Sequence, residues 1–106
     1  MSFTGKEDHA ISLADAAKLT KKYRDQMRPT DIKGGFFGRD AIQAILDQTS
    51  CVGIRYYYGL DANNKQVLVL VGAKENMDDM VDGVLDENSL PCPSYCGVNN
   101  QLNSDQ

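Results

Sequence analysis

Val52-Gly53-Ile54-Arg55-Tyr56-Tyr57-Tyr58-Gly59-Leu60 reads as an extended strand, and the fold follows from it. Side chains alternate along a strand, so Val52, Ile54, Tyr56, Tyr58 and Leu60 share one face and Arg55 and Tyr57 the other. Asp61-Ala62-Asn63-Asn64-Lys65 has turn composition, and Gln66 to Ala73 reads as the returning strand of a hairpin. In that strand Val67, Val69 and Val71 form one face, with Leu68 and Leu70 opposite. A strand apolar on both sides is usually buried on both sides. Helices can cover one face; the C-terminal tail, a third strand or a second subunit must cover the other.

Upstream, the period becomes helical. Ser12 followed by Asp15 is a capping-box variant: the hydroxyl accepts a helix amide, and the carboxylate suits the positive helix end. The spacing predicts a helix from about Leu13 to Met27. Leu13, Ala16, Thr20, Tyr23 and Met27 make its apolar stripe, with Ala17 and Leu19 flanking and Lys18, Lys21, Lys22 and Arg24 outside it. Pro29 ends it, because the residue before proline is pushed out of the α region. Residues 30–38 form a glycine-rich loop. A second helix is expected from about Arg39 to Gln48, with Ala41, Ile42, Ile45 and Leu46 inward. Residues 1–11 read as a flexible arm.

Downstream of Gly72 the chain is acidic from Glu75 to Glu87, with a short strand expected among Met80, Val81, Val84 and Leu85. Pro91-Cys92-Pro93-Ser94-Tyr95-Cys96-Gly97 is rigid and irregular, and residues 98–106 have the composition of a frayed polar tail. The expected fold class is therefore α+β. Two N-terminal helices pack on a small antiparallel sheet built on the central hairpin, in a single domain over residues 12–97.

The 106 residues and 42% hydrophobic content fit one globular domain. A net charge of -4 argues against nucleic acid as the main partner, because neutralising phosphates needs a basic face. The polar N-terminus has no secretory h-region, and no apolar run is long enough to span a bilayer. With an odd count of three cysteines, this predicts a cytoplasmic protein without a membrane partner.

Three groups of residues could carry chemistry. Cys92 and Cys96 could form a disulfide or supply two metal ligands, with Cys51 and His9 completing a zinc set only if the fold gathers them. Structural thiols or a facultative disulfide fit their spacing better than a redox catalyst or metal. Lys33, Gly34, Gly35 and Arg39 flank a helix start, where free amides and two cations could bind a small anion; Arg55 could join them. Glycines also serve plain turns, and Phe36 and Phe37 also serve as hydrophobic staples. The third group is Arg55, Tyr57, Leu68 and Leu70 on the second sheet face. Tyrosine with arginine is favoured at protein interfaces, and an apolar face left bare would be an exposed patch. The acidic run lacks the ligand order of an EF-hand. His9 is the sole histidine, so no nucleophile–base pair can be named and enzymatic activity is not expected. No cofactor is implied.

Three stretches carry a resemblance: Ile11-Ser12-Leu13 with Thr20 to Arg24, Tyr57-Tyr58-Gly59-Leu60-Asp61, and Cys92-Pro93-Ser94-Tyr95-Cys96. Together they resemble a group of short uncharacterised bacterial proteins of similar length. The resemblance implies a free-standing bacterial protein and carries no activity, cofactor or catalytic residue. The expected function is a non-catalytic interaction protein, self-associating or acting as an adaptor for another protein. The alternative is a small-anion or metal-binding protein using the glycine-rich loop or the cysteine pair.

Overall fold

The structure, a computed structural model, describes residues 1–105. In chain order its elements are α1 (Leu13–Gln26), β1 (Gly34–Phe36), α2 (Arg39–Leu46), β2 (Cys51–Leu60), β3 (Gln66–Lys74), β4 (Leu85–Asp86) and β5 (Leu90–Cys92). The class is α+β, and every strand pairing is antiparallel. The elements fall into two units. Residues 1–7 and 37–89 make a hairpin unit; residues 8–36 with those from Leu90 onward make a helix–tail unit.

In the hairpin unit the sheet order is β2-β3-β4. The predicted turn forms because Asp61 Oδ1 accepts the N–H groups of Asn63 at 2.8 Å and Lys65 at 2.9 Å. Asn64 takes the left-handed conformation, φ 61°, which asparagine tolerates better than most residues. Helix α2 packs against β2 and β3. Its Ile45 is fully buried and makes the core with Leu70, Val71 and Ala73. Burying a side chain of Ile45's size stabilises by about 1.5–3 kcal/mol.

Gln48, just beyond α2, ties the helix end to the segment before β4. Its Nε2 donates to the Ile45 carbonyl at 2.9 Å, and its Oε1 accepts the Val84 N–H at 2.8 Å. Gly72 leaves room for this, since a Cβ there would lie 2.9 Å from Gln48 Nε2 and 3.1 Å from Met80 Sδ. The strand expected among Met80 to Leu85 is confined to Leu85–Asp86. Before it, the Gly83 N–H closes a turn on the Met80 carbonyl at 3.0 Å.

In the helix–tail unit α1 starts as its sequence predicts, with Ser12 Oγ accepting the Asp15 N–H at 3.1 Å. Two expectations are corrected here. Helix α1, expected on the hairpin sheet beside α2, falls in this unit. The glycine-rich loop contains a strand: β1 pairs with β5, with Gly34 opposite Cys92 and Phe36 opposite Leu90. No residue of α1 is buried. Its inward line includes Arg24, whose side chain is only 11% exposed and which the stripe left outside. The guanidinium donates to the carbonyls of Leu102 at 2.7 Å and Ser104 at 3.1 Å, and to Asp105 Oδ1 at 2.8 Å. Lys33 Nζ donates to the Asn103 carbonyl at 2.6 Å. The polar tail, expected to fray, is thus hydrogen-bonded through Asp105.

Candidate interaction surface

The register of the hairpin settles which side chains share a face. Tyr56 lies opposite Leu70 and Tyr58 opposite Leu68, while Arg55 lies opposite Val71 and Tyr57 opposite Val69. Directly opposed residues of an antiparallel pair point the same way. The expected grouping of Arg55, Tyr57, Leu68 and Leu70 on one face is therefore corrected: Arg55 and Tyr57 share a face with the valines, and the leucines share the other with Tyr56 and Tyr58. The signal was available in the odd-length connection Asp61 to Lys65, which pairs even-numbered residues with even-numbered ones.

On the valine face, Arg55, Tyr57 and Asp79 form a closed cluster. Arg55 Nη1 donates to Asp79 Oδ1 at 2.6 Å and to the Met77 carbonyl at 2.8 Å. The Tyr57 hydroxyl donates to Asp79 Oδ2. Asp79 is positioned by its bridge to Ala73 on β3. The N-terminal arm contributes as well: the Phe3 N–H donates to the Glu75 carbonyl at 2.8 Å, and the Arg55 guanidinium lies 5.2 Å from the centroid of the Phe3 ring. Hydrogen bonds from Tyr57 and then Arg55 hold the Asp79 carboxyl below its ordinary pKa. The same bond to Asp79, followed by desolvation, pushes the Tyr57 phenol up. Both Asp79 carboxylate oxygens are engaged, one by Arg55 and one by Tyr57, so the cluster ties β2 to the segment after β3.

The other face is open at its outer end. Tyr56 is 55% exposed, Tyr58 69% and Leu60 70%. The Tyr56 and Tyr58 rings meet edge to face, with centroids 5.6 Å apart and planes at 78°. Strand β2 also lies at the end of the sheet order, so its outer main-chain groups face no strand of the sheet. Proteins usually blunt such an edge with lysine, proline or a bulge. β2 carries one charge, Arg55, no proline, and a register shift only between Cys51 and Gly53.

The remaining candidates are placed as follows. Lys33, Gly34 and Gly35 belong to the helix–tail unit, with Lys33 bonded to Asn103 and the glycines paired with β5; Arg39 opens α2 in the hairpin unit. Cys92 and Cys96 are joined in a disulfide and cannot act as thiolate ligands in that state. Cys51 is a free thiol beside the Gly53 carbonyl, 3.2 Å away. Among the described residues no three His, Cys, Asp or Glu side chains gather as a metal set, and no helix is long and apolar enough to cross a membrane.

No protein-family model matches the sequence, and no curated protein or solved structure shows detectable similarity to it.

Proposed function

We propose that this is a non-catalytic interaction protein that self-associates through the outer edge of β2. The supporting observation is a ten-residue edge strand with Tyr56, Tyr58 and Leu60 exposed along one side. Strand addition uses the main chain for affinity and alternate side chains for specificity.

The occupant that fits is a second copy of β2, running antiparallel about a two-fold axis at Tyr57. Isologous contacts of this kind are the commonest in homo-oligomers. In that register Tyr56 faces Tyr58 of the second copy and Ile54 faces Leu60, so these four apolar side chains of each copy meet their counterparts. Arg55 faces Gly59, so no like charges are opposed. The strand is complementary to itself. Leu68, next to Tyr58 on the same face, extends the contact, buried Leu70 supports it, and Arg55 and Tyr57 brace β2 from the opposite face.

The test is sedimentation or native mass spectrometry of wild type and Tyr58→Glu. Wild type is expected to dimerise, and Tyr58→Glu to weaken the dimer at least tenfold while its circular dichroism is unchanged. A wild-type protein that stays monomeric at high concentration, or a Tyr58→Glu variant that dimerises as well as wild type, overturns the reading.

A further inference from the structure

We propose that the Cys92–Cys96 disulfide is a reducible latch whose state sets the order of the helix–tail unit. Three observations lead there. First, every buried hydrophobic side chain among the described residues (Ile45, Leu70, Val71 and Ala73) belongs to the hairpin unit, and α1 buries none. The helix–tail unit has fewer than about 50 residues, a size at which chains commonly need a covalent or metal staple.

Second, the disulfide lies where the unit's two chain segments meet. The Cys92 carbonyl accepts the Lys33 N–H at 2.8 Å, and Cys92 pairs with Gly34 across the β1–β5 ladder. The Tyr95 N–H closes the turn on the Pro91 carbonyl at 2.8 Å. From Cys96 the chain runs on to Leu102, Asn103, Ser104 and Asp105, the groups held by Arg24 and Lys33. With the bond closed, the tail leaves the ladder from a fixed point. With it open, those charge-assisted hydrogen bonds must hold the tail without that restraint.

Third, the bond can be reached. Cys96 is exposed and Cys92 half-buried. A dithiol reductant attacks Cys96 Sγ as the thiolate, forming a mixed disulfide while Cys92 leaves as a thiolate and takes a proton. The second thiol of the reductant then displaces Cys96. The reductant ends as a cyclic disulfide, and the protein gains two electrons and two protons.

The experiment is amide hydrogen exchange on the full chain before and after dithiothreitol, with thiol content measured by mass. Reduction is expected to accelerate exchange at Lys33, Tyr95 and Ser104 at least tenfold, while the β2–β3 amides keep their protection. The Cys92→Ser/Cys96→Ser variant should show the fast pattern at once and ignore dithiothreitol. Unchanged exchange at those three amides in protein shown to carry reduced Cys92 and Cys96 overturns the proposal. So does equal acceleration across β2 and β3, which would make the disulfide a general staple.

Discussion

The Tyr57 hydroxyl donates to Asp79 Oδ2, so the central tyrosine of the exposed strand is pinned by a carboxylate from the segment after β3. The other Asp79 oxygen takes the Arg55 guanidinium. This ties Tyr57 to the segment after β3, whereas Tyr56 and Tyr58 lie on the other face of the hairpin.

A pH dependence bounded on two sides follows. Asp79 has a lowered pKa, so its contribution to stability is complete above the ordinary carboxylate value of about 4 and is lost as pH falls through its folded value. Tyr57 has a raised pKa, so its contribution is complete below about 10 and is lost as pH rises through its folded value. Urea midpoints measured across pH should show a shallower acid limb in Asp79→Asn and a shallower alkaline limb in Tyr57→Phe than in wild type. Parallel profiles would mean that the cluster does not form in solution.

Association should strengthen with salt. Each copy carries a net charge of -4, so two copies repel, and the proposed contact itself is apolar and main-chain. Raising sodium chloride from about 0.05 to 0.5 M shrinks the screening length several-fold. The dimer dissociation constant is expected to fall across that range; a rise would point to ionic contacts instead.

Ile45→Ala should cost about 2–5 kcal/mol in denaturant unfolding, because a fully buried isoleucine leaves a cavity. Leu46→Ala, next along the same helix but 40% exposed, should cost about 1 kcal/mol or less. Similar costs at both positions would contradict the observed orientation of α2.

Gln48 and Gly83 should be coupled. Gln48→Ala removes the acceptor of the Val84 N–H and is expected to cost about 1 kcal/mol. A Cβ at Gly83 would run into Gln48 Oε1, so Gly83→Ala should cost about 1–3 kcal/mol. In the Gln48→Ala background the Gly83→Ala cost should largely vanish, which a double-mutant cycle reads directly.

Arg24→Lys keeps the charge but loses the planar fork that reaches Leu102, Ser104 and Asp105 together. It should lower the local stability of the tail by about 1–3 kcal/mol, seen as faster exchange at the Ser104 amide. Unfolding of the β2–β3 hairpin should be unaffected.

The local elements were legible in the sequence. Alternation marked β2, the Asp61 to Lys65 composition marked its turn, Ser12 marked the start of α1, and Ile45 lay on the predicted inward face of α2. Pairings between distant segments were less so. Gly34-Gly35-Phe36 has no alternation to read, and its partner Leu90-Pro91-Cys92 contains a proline, so neither looks like a strand until the other is present. Arg24 falls outside the apolar stripe of α1, and a charge there is ordinarily solvated; its partners are carbonyls and a carboxylate in a tail of polar composition. At the candidate surface the residue types are visible in the sequence, but alternation within one strand does not say which of its faces matches which face of the next; only the five-residue connection, by its parity, joins Tyr56 and Tyr58 to the leucines.

The bonds from Arg24 to Leu102, Ser104 and Asp105 span 78, 80 and 81 positions. The chain emerges from the ribosome with α1 ahead of its partners, and the whole hairpin must be made before the tail exists. A chain ended shortly before Leu102 should therefore keep the hairpin and lose every one of these bonds to Arg24. The hairpin unit is thus complete in sequence before the helix–tail unit has its last partners.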